Sequence, residues 1–215
     1  PVKNSYALDK HMLITGPNAA GKTTLLKTTI FNIILSQQTG FGFYKSAQLQ
    51  LYDYIHCYIN IPDTSARDSL FQAEARRCKD ILTSISETTS EKLSSPYINA
   101  TFKDARHLCV FDELYSGTNP YEAIGSAYAF LSYLNKFDNV NFVLTTHYLD
   151  LCKRLEETQQ GIHNYHMEVL TSVGDDFNYT YKLKRDISTI KGGVKVLRDL
   201  DYPKEIIDVA NRNLL

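Results

Sequence analysis

The chain lacks anything long enough and apolar enough to cross a bilayer. Apolar runs such as Ile33-Ile34-Leu35 and Leu108-Cys109-Val110-Phe111 fall far short of the ~20 residues a membrane helix needs. It also lacks an excess of charge: 23 Lys+Arg against 24 Asp+Glu leave a formal −1. Electrostatic grips on nucleic acid rest on clustered cations, so this chain alone has no such grip. Cysteine is sparse. Cys57, Cys78, Cys109 and Cys152 form no CxxC pair, which points away from a disulfide frame or zinc site and towards reduced, mostly buried thiols of an intracellular protein, cytoplasmic or nuclear by source. No repeat or low-complexity tract is visible. Pro1-Val2-Lys3-Asn4 offers no initiator Met, basic n-region or apolar h-region, and the expectation is a domain excised from a longer parent. What is present is 215 residues with 43% hydrophobic and 22% charged content, enough for one folded domain and too apolar for wholesale disorder.

Short β-branched runs alternate with longer helical patterns, which favours an α/β sheet. Met12 to Thr15 reads as a strand, followed by a Gly-containing loop and a helix over Thr23 to Ser36 with Leu26, Ile30, Ile33 and Ile34 at helical spacing. A second helix is expected from Ser69 to Ser84, burying Phe71, Ala75, Cys78, Leu82 and Ile85, with Glu74, Arg76, Arg77 and Lys79 largely on other faces. Ser84 to Ser95 is the most loop-like stretch. Leu108 to Phe111 reads as a buried strand ending in Asp112-Glu113, and a helix then starts at Asn119, Pro120 and Glu122 in a capping-box arrangement. Its stripe is Ile124, Ala127, Tyr128, Leu131 and Leu134. Val140 to Thr146 is a further strand. Asn164 to Leu170 and Phe177 to Leu183 flank Gly174-Asp175-Asp176 as a hairpin, and two short helices divide near Tyr202-Pro203.

Gly16-Pro17-Asn18-Ala19-Ala20-Gly21-Lys22-Thr23 matches GxxxxGK[ST] between a strand and a helix. Glycines let successive backbone N–H groups turn inward to phosphate oxygens, helped by the positive end of the helix. Lys22 then reaches the β- and γ-phosphates, and the Thr23 hydroxyl ligates Mg²⁺. Asp112, at the end of an apolar strand, is the candidate for the Mg²⁺ shell; Glu113 is the candidate to orient an attacking water. His147, after Val143-Leu144-Thr145-Thr146, is a donor placed to sense a γ-phosphate. The remaining histidines carry no comparable context.

Together, Ile14 to Asn18 leading into Gly21-Lys22-Thr23, Val110 to Glu113 continuing to Ser116-Gly117-Thr118, and Thr145-Thr146-His147-Tyr148 resemble the ATPase domain of the MutS mismatch-repair family, within the ABC ATPase superfamily. Ala47-Gln48, Ile59 to Asp63, Ser69 to Glu74, Asn164 to Met167, Tyr181 to Lys184 and Lys191-Gly192-Gly193 extend the likeness over nearly the whole chain from Met12. The resemblance implies an ABC-type P-loop NTPase fold: a mixed central sheet flanked by helices, a β-hairpin and a C-terminal helical tail. It implies ATP and Mg²⁺ as ligands, an ATPase domain over 1–190 and a tail at 191–215 that contributes to dimerisation. The implied partner is a second ATPase domain of the same type, with DNA bound by domains outside this chain and no membrane association.

Carried over residue by residue, Gly16, Pro17, Asn18, Ala19, Ala20, Gly21, Lys22, Thr23 and Thr24 bind ATP, with Lys22, Glu113 and His147 catalytic and Thr23 and Asp112 on Mg²⁺. Ser69 acts on the partner's nucleotide. Tyr181 is either a ring against adenine or an ordinary hairpin tyrosine. Typical members have Met-Gly at Ala19-Ala20, a glycine-rich stretch at Ala66-Arg67-Asp68, Arg-Gly-Thr at Ser116-Gly117-Thr118 and Asp-Gly at Glu122-Ala123. None of these departures removes a phosphate, metal or water contact, and both the repair branch and a divergent MutS-like branch stay open. Beside ATP hydrolysis driving a DNA clamp stands a second reading, a nucleotide-gated dimerisation switch with little turnover. A chromosome-maintenance ATPase is the third, and no LSGGQ-like signature supports it.

Overall fold

The computed structural model describes residues 1–59, 69–89, 105–171, 176–190 and 192–213. Ala66-Arg67-Asp68, most of the Ile59 to Asp63 segment, residues 90–95, Gly174-Asp175 and Lys191 therefore lie outside the described residues. In chain order the elements are β1 (His11–Thr15), α1 (Lys22–Thr39), β2 (Tyr54–Tyr58), α2 (Leu70–Thr88), β3 (His107–Asp112), α3 (Pro120–Leu134), β4 (Val140–Thr145), α4 (Leu149–Thr158), β5 (Ile162–Thr171), β6 (Phe177–Arg185), α5 (Gly192–Asp199) and α6 (Lys204–Arg212).

Six strands form one sheet in the order β2-β3-β4-β1-β5-β6, parallel except for the antiparallel β5–β6 hairpin. The mixed α/β sheet expected from the sequence is thus present. β3 is buried on both faces, which is why it reads as an unbroken apolar run rather than an alternating one. Leu108 and Val110 join Met12, Ile14 and Val143 under Leu25, Leu26, Ile30 and Ile33 of α1. Cys109 and Phe111 face the opposite layer, packing with Cys78, Ile81 and Ile85 of α2, Ala127 and Leu131 of α3, and Leu151 and Leu155 of α4. All four cysteines are free, three of them buried.

Three local expectations need correction. The second helix does not stop at Ser84: it runs to Thr88, because Ile81 and Ile85 are fully buried and Thr88 Oγ1 meets His107 Nε2 at 2.9 Å. Glu74 is not on a solvated face. It is 2% exposed. At the start of α3, Asn119 accepts from Glu122 N, but the Glu122 carboxylate accepts from Thr118 Oγ1 at 2.6 Å instead of returning to the cap. The reciprocal capping box stands at Ser69 and Gln72 of α2. Strand β2 and helix α4 were not anticipated. The two C-terminal helices divide at Tyr202-Pro203 as expected, and α6 buries none of its residues.

Candidate active site

The strand order puts β4 between β3 and β1, so the segments leaving the C-terminal ends of these three strands lie side by side. This is the position at which open α/β sheets bind ligands. Leaving β1, the chain turns through Gly16, Ala19 and Gly21, whose φ values are 147°, 63° and 95°. Gly21 caps α1 in the left-handed region, a conformation that an L side chain disfavours. Its space is closed as well: a Cβ at Gly21 would fall 3.1 Å from the ring of Tyr181. The hairpin tyrosine therefore borders the loop.

Lys22 is 6% exposed, and Nζ donates to the carbonyls of Gly16 at 2.9 Å and Pro17 at 3.2 Å. Burial lowers its pKa, while Glu113 and Asp112 oppose that shift. At the next residue, Thr23 Oγ1 donates to Asp112 Oδ2 at 2.9 Å. Thr145 Oγ1 from β4 donates to Asp112 Oδ1. Two neighbouring elements, α1 and β4, thus hold a single carboxylate at the end of β3.

Glu113 follows with φ 57°, a left-handed conformation uncommon for a side-chain-bearing residue. Its N–H bonds Thr145 O at 3.0 Å, which turns the carboxylate out of the strand to His147, 2.8 Å from Nε2 to Oε1. His147 Nε2 also lies 3.3 Å from Lys22 Nζ. One nitrogen cannot donate to Glu113 and accept from Lys22 in the same tautomer. The shorter, charge-assisted contact defines the tautomer, and Lys22 spends its protons on the loop carbonyls. The hydrogen bond from His147 holds the Glu113 carboxyl below its ordinary range against the opposing effect of burial, with further help from the charge of Lys22.

Lys22, Thr23, Asp112, Glu113 and His147 therefore converge, and Gly16 to Gly21 curve around Lys22. Thr24 sits in the first turn of α1. Ser69 is apart from this group: it caps α2, with its hydroxyl accepting from Gln72 N at 3.3 Å. Among the described residues no group of three His, Cys, Asp or Glu side chains could hold a metal ion. The donor set at Thr23 and Asp112 is nonetheless suited to Mg²⁺, a hard cation that takes one or two protein oxygens and fills its shell with water and phosphate oxygens. Sequence reasoning missed Thr145 and Glu74. Thr145 was legible as the strand-end hydroxyl beside His147, whereas nothing in the local pattern distinguishes Glu74 from a surface residue.

The fold is that of an ABC-ATPase-like domain. Residues 12–93 and 97–215 match the family model of MutS domain V, and the chain belongs to that family, which is an ATPase-domain family. It is similar to the DNA mismatch repair protein MutS of Bacteroides fragilis, at 31% identity over 211 residues, 97% of this chain and 22% of the relative. The proteins of the same name from Chlorobium limicola and Aquifex pyrophilus are each 30% identical over 94% of this chain and 21% of the relative. The chain thus spans about a fifth of the length of these relatives. Among the described residues no helix is long and apolar enough to cross a membrane.

Proposed function

We propose that this domain binds and hydrolyses ATP with Mg²⁺, pairing with a second domain of its kind so that the cycle drives a DNA-binding protein of the mismatch-repair type. The observation that supports this most is the convergence of Lys22, Thr23, Asp112, Glu113 and His147 at the ends of three adjacent strands. Backbone N–H groups from Asn18 to Thr24 neutralise phosphoryl charge together with the Lys22 ammonium, which exchanges the carbonyls of Gly16 and Pro17 for phosphate oxygens. Thr23 and Asp112 would hold Mg²⁺, which when bound would disperse the charge of the phosphates.

Glu113, held ionised, is a weak base. Its task is to accept a hydrogen bond from the attacking water and aim it in line with the leaving group, while His147 fixes the carboxylate. Tyr181, beside Gly21, borders the adenine. Ser69 reaches the nucleotide of the partner domain, and the tail at 191–215 contributes to the pairing. DNA is held by parts of the protein outside this chain. Its near-zero net charge agrees with that division.

Glu113→Gln tests the assignment. The variant should bind ATP with undiminished affinity in equilibrium titration while turnover falls by about 10²- to 10⁴-fold. Unchanged hydrolysis would remove Glu113 from the mechanism.

A further inference from the structure

A buried carboxylate has to be satisfied, and Glu74 takes three hydrogen bonds from a single loop. Its Oε1 accepts from the backbone N–H and the hydroxyl of Ser116, each at 3.0 Å, and its Oε2 accepts from Gly117 N at 3.1 Å. Three donors within two residues hold the carboxylate, which is why so polar a group tolerates 2% exposure. Ser116 and Gly117 close the turn that begins at Asp112 and Glu113. Glu74 belongs to the first turns of α2, five residues after its cap at Ser69.

The connection between the two is stiff. Glu113 and Tyr115 both occupy the left-handed region, at φ 57° and 58°, conformations that persist only where packing determines them. Leu114 and Tyr115 are buried, and Tyr115 N reaches Tyr58 Oη at 3.4 Å. Phe71 of α2 lies against Tyr115, their ring centroids 5.5 Å apart. Gly117 is pressed onto α2 so closely that a Cβ there would stand 2.7 Å from Phe71 N and from Leu70 Cγ. Ser69 immediately precedes Leu70, and its conformation is fixed by the reciprocal cap with Gln72.

We propose that Glu74 is a positioning residue that locks the turn after Glu113 to the Ser69 end of α2. A shift of Asp112 and Glu113 when this chain's own site changes state is thereby passed to the serine offered to its partner. Glu74 touches no nucleotide. It sets where Ser69 stands, and so adjusts the rate at the neighbouring site rather than nucleotide affinity at its own. The inference rests on the proposed reading that Ser69 acts across a pair of domains.

The test mixes two forms of the full chain. One carries Lys22→Met and can supply only Ser69; the other carries Ser69→Ala and can supply only the phosphate loop. Each is inactive alone, and the mixture recovers ATPase activity if the site is shared. Adding Glu74→Gln to the Lys22→Met chain keeps size and shape but turns an amide N–H₂ against backbone donors. It should lower kcat of the mixture at least tenfold, with KM for ATP, set by the other chain, unchanged within twofold. Ser116→Ala on the same chain, which removes one of the three hydrogen bonds, should give a smaller fall, about threefold, with the same kcat-only signature, and it covers the case in which Glu74→Gln does not fold. An unchanged kcat in the folded variants overturns the role of Glu74, as does a rise in KM at constant kcat. A parent mixture that recovers nothing sinks the shared-site reading itself, a different failure read before Glu74 is altered.

Discussion

The same substitution at two glycines should change stability in opposite directions. Gly117 and Gly125 both sit outside the region of positive φ, so alanine is allowed by the backbone at each. At Gly117 the new Cβ would meet Phe71 N and Leu70 Cγ at 2.7 Å and Leu70 Cβ at 2.8 Å. Comfortable carbon contacts lie near 3.5–4.0 Å, so the first turn of α2 must retreat by about 1 Å against the three hydrogen bonds from the Ser116–Gly117 loop to Glu74. Overpacking of this kind costs about 1–3 kcal/mol. The smaller conformational entropy of the unfolded alanine chain returns about 0.4–1 kcal/mol, leaving a net loss of roughly 1–2 kcal/mol. At Gly125, exposed within α3, a Cβ meets nothing within 4 Å, and alanine should gain about 0.5–1 kcal/mol through helix propensity and the same entropy term. Urea denaturation followed by far-ultraviolet circular dichroism measures both. Gly117→Ala should lower the midpoint and Gly125→Ala should raise it, with unchanged slopes. A Gly117→Ala protein as stable as the parent would refute the close packing of the loop on α2.

In the proposed role Lys22 makes charge-assisted hydrogen bonds to phosphate, worth about 1.5–3 kcal/mol, so Lys22→Met should lower nucleotide affinity about 10- to 150-fold in equilibrium titration. A smaller loss would mean that Lys22 does not reach the phosphates. His107 is fully buried, and burial and the neighbouring His56 push its pKa down to about 4. Its folded value lies below the unfolded one near 6.5, so its contribution is complete above about pH 6.5 and is lost as pH falls towards 4. The amount is on the order of 3 kcal/mol. His11, pushed down to about 3 by burial, acts in the same direction, so His107→Gln should reduce but not abolish the fall in urea midpoint between pH 7 and pH 5. An identical pH slope in the variant would contradict a neutral, buried His107.

Which features were legible depended on how local their causes are. The GxxxxGK[ST] octapeptide, the Asp112-Glu113 strand end and the Thr-Thr-His terminus follow from covalent spacing, and each lies where the strand-loop pattern places it. Helix α1 and the hairpin were readable from periodicity. Strand β2, Tyr-Ile-His-Cys-Tyr, was not: it lies at the sheet edge with only one residue fully buried, so its alternation is faint. Helix α2 outran its expected end because Ser84, Ser86 and Thr88 are poor helix formers overruled by the burial of Ile81 and Ile85. Glu122 took Thr118 rather than the cap because a neighbouring hydroxyl competed for it.

Sequence alone therefore determined which residues are candidates to hold phosphate, metal and water, and that they would sit at strand ends. Those properties depend on side-chain identity and on spacings of a few residues. Only the tertiary structure decided that β3, β4 and β1 are adjacent, so that Asp112, Glu113 and His147 meet the loop around Lys22. It also decided that an acidic residue of ordinary appearance, Glu74, is buried and binds the turn after Glu113 to helix α2. Contacts between residues tens of positions apart arise from sheet order and from the need to satisfy a buried charge, and no local pattern encodes either.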